Sequence, residues 1–203
     1  MASRSASDWV RGAARRLAAD GVDAVRVEPL ATELGVSKGS FYWHFTNRDA
    51  LLDAVLVHWQ HAGVADVIAE LEDTARYPEA RLRELLRHSF DHTDRGFDVG
   101  VRAWAARDAR ARAAASAVDA ARTDYLTRLL SEAGAADPHR RAAVLYRTLL
   151  GDYAMRHAGG EALGRGAIAA LVSWSLEPPT DGAATREPAT SDPAAGAAGN
   201  GGT

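Results

Sequence analysis

Apolar residues recur along this chain every three to four positions, and no convincing run alternates as a half-buried strand would. The pattern therefore predicts an all-helical protein. Trp9, Val10, Ala13, Ala14 and Leu17 mark a first helix, with Ser7 or Asp8 as its cap. Asp20-Gly21 ends it, because glycine accepts the left-handed conformation that follows a helix. A short helix is expected over roughly 28–34, with Pro29 tolerated in the first turn and Gly35 as the stop. Ser37 caps the next, which runs to about His44.

Thr46-Asn47-Arg48-Asp49 has the form of a capping box, with Asp in place of the usual Glu or Gln. It opens a long helix carrying Leu51, Leu52, Val55, Leu56 and Trp59, with Gly63 as a weak point on the way to Leu71. Pro78 starts another, whose Leu82, Leu85, Leu86, Ser89 and Phe90 form an amphipathic stripe. A shorter piece follows around 101–108, then a long helix with Val118, Ala121, Tyr125, Leu126, Leu129 and Leu130, closed by Gly134. Asp137-Pro138 is read as an N-cap and first-turn proline, opening a helix to about His157. A last helix covers roughly 163–176 before Pro178-Pro179.

Composition narrows the classes. Apolar residues make up 47% and charged residues 25%, an ordinary globular balance. The absence of cysteine excludes disulfide scaffolds, cysteine-ligated metals and thiol nucleophiles. No apolar run approaches the roughly 18 residues of a membrane helix, and the start lacks a signal-peptide core, so a cytoplasmic protein is expected. The net charge is −3. Glu177, Asp181, Glu187 and Asp192 against Arg186 alone account for all of it. Bulk charge thus gives no case for nucleic acid, and any such case rests on local placement.

That placement is found at residues 27–45. Leu30, Ala31, Leu34, Gly35, Val36 and Phe41 fall where a helix-turn-helix needs them. Ala31 is small where the second helix crosses, Gly35 makes the turn, and the others wedge the two helices apart. An ordinary helical hairpin in a core would satisfy the same spacing. A core helix, however, would not expose Ser37, Lys38, Gly39, Ser40, Tyr42, Trp43 and His44 around so short a cylinder. A helix entering a major groove would, with hydroxyls and Tyr on phosphates and Lys38, the only lysine, on a guanine edge. Arg48 adds a cation in the first turn of the following helix, where backbone N–H groups already favour phosphate.

The stretch VEPLATELGVSKGSFYWHFTNRDALLDAV resembles the N-terminal module of TetR-type transcriptional regulators. Gly35, Val36, Ser37, Gly39, Ser40, Phe41, Tyr42, His44, Phe45, Arg48, Leu51 and Leu52 carry the resemblance, which covers roughly residues 8–60. It implies an all-α chain: a three-helix DNA-binding domain over 1–50, a helical ligand-binding and dimerisation domain over 51–177, and a tail from 178. That tail, with no large apolar residue past 180, is expected to be disordered. The resemblance also implies a homodimer that represses transcription from a double-stranded operator until a small-molecule effector binds. By position, Ser40, Tyr42 and Arg48 would touch phosphates, while Lys38, Gly39, Trp43 and His44 would face the groove. Arg26 departs from the pattern, standing where the family usually has Ser or Thr to cap the second helix and contact phosphate; it is still expected to reach a phosphate, with the cap lost.

The wide stripe of the helix after Pro138 and the apolar face of the last helix give a candidate dimer interface: Leu145, Tyr146, Leu149, Leu150, Ile168, Leu171, Val172 and Trp174. Aromatic and polar residues of the middle helices give a candidate pocket: His88, Phe90, His92, Phe97, Arg102, Trp104, Tyr125, Tyr153 and Arg156. His88/His92 and His58/His61 have metal-pair spacing but lack a third ligand, so no metal and no cofactor are expected. No nucleophile elbow, phosphate loop or dinucleotide fingerprint is present, which favours a regulator over a helical enzyme; salt-dependent DNA binding separates the regulator from both that enzyme and a protein-interaction module.

Overall fold

The computed structural model describes residues 4–91 and 96–179, without the side chains of Thr74 and Asp91, and every described element is helical. The elements are α1 (Ala6–Asp20), α2 (Val27–Leu34), α3 (Lys38–Tyr42), α4 (Arg48–Gln60), α5 (Asp66–Thr74), α6 (Pro78–Asp91), α7 (Gly96–Ala105), α8 (Ala109–Glu132), α9 (Pro138–His157) and α10 (Arg165–Ser175). No described helix is long and apolar enough to cross a membrane. The tail expected to be disordered lies, from residue 180 on, outside the described residues.

Local chemistry sets the ends, in places one or two residues from where the pattern puts them. Ser5, rather than Ser7 or Asp8, caps α1: its hydroxyl accepts from the Asp8 N–H at 3.2 Å while the Asp8 carboxylate accepts from the Ser5 N–H at 2.8 Å. Gly21 ends α1 at φ 79°, ψ 175°, a positive φ but not the left-handed helical conformation expected. Gly35 does adopt that conformation (φ 69°, ψ 33°), and the Val36 N–H turns back to the Ala31 carbonyl at 3.0 Å. Asn47, not Thr46, caps α4, accepting from the Ala50 N–H at 2.8 Å. Asp137 precedes α9 in a left-handed conformation and makes no side-chain cap; its carboxylate pairs with Arg140 instead.

Between α4 and α5 the chain stays helical but widens into a π-turn, His61–Ala65, centred on Gly63. Such turns occur mostly as single inserts in α-helices, often at functional sites.

Two cores share the molecule. The first gathers Trp9, Leu17, Leu30, Phe41, Leu51, Val55 and Trp59 with Val101 and Trp104 of α7 and Ala111 and Val118 of α8. Packing therefore runs continuously past residue 50, and the helix-turn-helix shares its core with α7 and α8. The second core joins Leu82, Leu86 and Phe90 of α6 to Leu129 and Leu130 of α8, Leu145 of α9 and Val172 of α10.

The join between α1 and α7 is close because α7 presents glycine there. A β-carbon at Gly96 would lie 2.8 Å from the Ala18 carbonyl oxygen, and one at Gly100 2.7 Å from that of Leu17. Gly12 on α1 differs, since its added β-carbon would meet only side chains at 3.5 Å or more. Gly100→Ala should therefore destabilise by about 1–3 kcal/mol, as overpacking against backbone does. Gly12→Ala should stabilise by up to about 1 kcal/mol through its helix preference. Urea unfolding checks both signs, and equal signs would contradict this packing.

Candidate nucleic-acid interface and cavity

The second helix of the helix-turn-helix buries one side and offers the rest. Phe41 is fully buried, edge-on to Trp9 at 5.2 Å and stacked with Phe45 at 5.6 Å. Around it Ser37, Lys38, Gly39, Tyr42, Trp43 and His44 are exposed and Ser40 is half-buried. Trp43 is 88% accessible, a large apolar ring left uncovered by the described residues. The α3 helix is shorter than expected, ending at Tyr42, so Trp43 and His44 sit on its C-terminal turn.

Two of the candidate cations are already engaged. Lys38 forms an ion pair with Glu28 of α2, which holds the Glu28 carboxyl below and the Lys38 ammonium above their usual ranges through the hydrogen bond between them. Arg48 is half-buried, donating from Nε to the Val25 carbonyl and from Nη2 to the Val22 carbonyl, both at 2.6 Å. It ties the turn before α2 to α4, an internal brace that the sequence placed simply on phosphate. Arg26 is exposed and donates to the Asp23 carbonyl at 3.2 Å; it sits at the cap position of α2 without capping it. Two neighbours escaped the sequence reading. Arg4 donates to the Leu34 carbonyl at 3.1 Å, and its own carbonyl lies 2.8 Å from His44 Nε2, which fastens the leading segment across the motif. Glu28 lies in the first turn of α2 and carried no simple signal, since Glu33 stands nearer to the lone lysine in sequence.

Farther along α4, a cavity of about 440 Å3 opens behind the π-turn. Its wall runs from Trp59 and Gly63 through Val67, Leu85 and His88 to Phe97, Tyr125, Leu145 and Tyr153. A second hollow of about 370 Å3 shares Val67 and His88 with it. Of the candidate pocket residues, His88, Phe97, Tyr125 and Tyr153 line the cavity. Phe90 and Trp104 are core side chains. Arg102 stands behind the wall, and Arg156 binds the Phe90 carbonyl at 3.0 Å and Asp152. His92 lies outside the described residues. Among the described residues, no three His, Asp or Glu are grouped to hold a metal ion.

The candidate interface on α9 needs correction. Leu145, Tyr146 and Leu149 are buried within their own subunit and line the cavity, and Val172 is buried too. Leu150, Ile168, Leu171 and Trp174 are half-buried. The face of α9 turned outward instead carries Val144, Thr148, Gly151 and Met155, with Met155 63% accessible.

One end of the cavity is closed by charge. Asp98 of α7 accepts from Arg102 Nε at 2.6 Å and from Arg122 Nη1 at 2.9 Å. Arg102 reaches on to Asp119 at 2.7 Å and to the Tyr146 hydroxyl at 2.9 Å, and that hydroxyl donates to Asp119 at 2.6 Å. Arg122 Nε donates to the Gly63 carbonyl at 3.1 Å, and its guanidinium lies over the Trp59 ring. Burial works against every charge here, yet Asp119 stays below its usual range because Arg102 and Tyr146 hydrogen-bond to it. Burial likewise opposes the Arg122 charge, but Asp98 holds it above its usual value.

Burial, together with the bond to Asp119, pushes Tyr146 up to about 12 from an ordinary 10. A phenol whose folded value is raised adds stability in full below about pH 10 and loses it as pH climbs through about 12. Wild type should lose up to about 2 kcal/mol over that interval that Tyr146→Phe does not lose. Urea titrations of both proteins between about pH 9 and 12 measure the difference, and parallel curves would contradict the buried phenol.

Residues 10–55 match the family model of bacterial regulatory proteins, tetR family. No curated protein matches the chain. Among solved structures, the reduced form of NemR from E. coli superposes with TM-score 0.69 at 15% identity, covering 83% of this chain and 94% of that one. A TetR-family transcriptional regulator from Agrobacterium tumefaciens also gives TM-score 0.69, at 18% identity over 84% and 95% of the two chains. A structure from Saccharomonospora viridis determined in complex with choline gives 0.67, at 18% identity over 84% and 92%. Residues 10–55 thus match the helix-turn-helix module of the tetR family of bacterial regulatory proteins, and the chain as a whole shares the fold of these solved structures.

Proposed function

We propose that this regulator represses transcription as a homodimer on a palindromic operator and is released when a small molecule fills the cavity behind the π-turn. One observation carries the coupling: the exposed groove-facing helix and the cavity are joined through α4, which starts beside α3 and ends against the cavity wall. The choline complex, a small molecule held by a protein of the same fold, supports a small-molecule effector, without bearing on its charge. Each subunit would place α3 in a major groove, with half-site centres roughly 34–36 Å apart or a multiple of that. Tyr42, Trp43, Ser37 and Ser40 are free to meet backbone and bases, whereas Lys38 must first leave Glu28. An effector that prefers the DNA-incompetent arrangement shifts the population by no more than its differential affinity. Genome-wide DNA capture with purified protein, followed by a screen for molecules that release the captured DNA, tests the whole proposal. Failure to enrich any operator would overturn it.

The dimer would form through the outward face of α9 with Ala167, Ala170 and Trp174 of α10, where Gly151 leaves open space for a partner helix. Met155→Glu should leave the fold intact, since that side chain is exposed, yet shift sedimentation from dimer to monomer. Leu149→Glu should unfold the subunit instead, because Leu149 is 7% accessible. A dimeric Met155→Glu protein would place the interface elsewhere.

Lys38→Ala separates two kinds of contact. A lysine reading guanine costs about 1–3 kcal/mol when removed and relaxes preference at one base pair per half-site. A lysine on phosphate weakens binding evenly and lowers the salt slope by about one per contact. Binding measured on operator variants at several salt concentrations decides between them, and no change in either would remove Lys38 from the interface.

A further inference from the structure

The cavity wall pairs its own charges. Among the described residues, the charged groups at its closed end are Asp98 and Arg122, backed by Arg102 and Asp119. Two carboxylates thus face two guanidiniums. Both Asp98 oxygens are taken, one by each arginine. Arg122 donates from Nη1 to Asp98 and from Nε to the Gly63 carbonyl. The Tyr146 hydroxyl both accepts and donates within the set, and the Tyr153 hydroxyl donates to the Ser89 carbonyl at 3.3 Å. Apart from His88 and Ser89, the rest of the lining is apolar or aromatic, with Trp59, Phe97 and Tyr125 among branched aliphatic chains.

We propose that this cavity selects an uncharged, largely aromatic molecule and discriminates against anions and cations alike, because the Asp98–Arg122 pair and its partners leave no charge for a ligand to neutralise. The proposal rests on the cavity being the effector site. An incoming carboxylate would have to take Arg122 from Asp98, and an incoming ammonium would have to take Asp98 from both arginines. Either exchange strands a charge that is buried, which costs far more than the new pair returns. A neutral ring asks for no such exchange and gains contact with the aromatic wall.

Three probes of nearly one shape test this: naphthalene-2-carboxamide, naphthalene-2-carboxylate and 2-naphthylmethylammonium. Calorimetric titration into the full chain at about pH 8, above the ordinary imidazole range, gives each dissociation constant. The carboxamide is expected to bind at least about tenfold more tightly than either ion. Equal or tighter binding by an ion overturns the proposal, and so does binding by none of the three. Asp98→Asn then removes one negative charge from the set and should move the carboxylate-to-carboxamide ratio toward the carboxylate by about tenfold or more. An unchanged ratio in the folded variant would show that the pair is not the cause. Should that variant not fold, the wild-type series decides alone. The same probes are added to protein bound to operator. A carboxamide that binds without weakening the DNA complex would sink the effector reading while leaving the charge selection standing.

Discussion

The ion pair between Asp98 and Arg122 holds the irregular part of this structure in place. Arg122 sits on the middle of α8, and its Nε donates to the carbonyl of Gly63 in the π-turn. A widened turn leaves backbone groups out of the α register, and a buried carbonyl needs a donor. Arg122 supplies one, but a guanidinium out of water needs its own counter-charge. Asp98 provides it from α7, with Arg102, Asp119 and Tyr146 completing the set. Removing one partner of such a buried pair costs about 3–5 kcal/mol because the other charge is stranded. The π-turn, the cavity and the juxtaposition of α7 with α8 therefore stand or fall together.

The same arrangement links both ends of the molecule. Asp98 lies on the helix whose Gly96 and Gly100 press against the backbone of α1, inside the DNA-facing module. Gly63 lies at the end of the helix that begins beside the recognition helix. Under the proposed function, a shift in the cavity's charged wall would have two routes to the helix-turn-helix, one through α7 and one through α4. Neither route crosses a flexible linker, since the first core is continuous from Trp9 to Val118. Close-packed interiors have few intermediate arrangements, so small displacements at the wall are passed on as whole-helix shifts.

What the sequence revealed follows the range of the interactions involved. The helix-turn-helix was legible because its determinants are local: a small residue at Ala31, positive φ at Gly35 and a buried Phe41 within a few turns. Gly63 was visible as a weak point, but not as a π-turn, since the donor to its carbonyl stands 59 positions away. Arg48 read as a phosphate ligand by its place at a helix start, whereas its acceptors are carbonyls 23 and 26 positions back. The α9 stripe was legible as apolar but not as to its destination. A helix that is apolar around most of its circumference does not announce which face meets a partner subunit and which meets its own core. Only the packed structure shows that Leu145 and Leu149 turn inward and Val144 and Met155 outward.

The π-turn also bears on why glycine occupies position 63. A β-carbon there would lie 2.6 Å from Arg122 Nη2, so any other residue must push that guanidinium aside. A free arginine tip would move at little cost, being the end of a flexible chain. This one is held by Asp98 at 2.9 Å and by the Gly63 carbonyl itself at 3.1 Å, so displacement would break the bonds that fix the turn. Helix preference alone favours alanine over glycine by roughly 0.5–1 kcal/mol, which is smaller than the cost of disturbing a buried ion pair. Glycine at 63 is thus explained less by backbone freedom than by the room a buried arginine needs to reach the carbonyl beneath it.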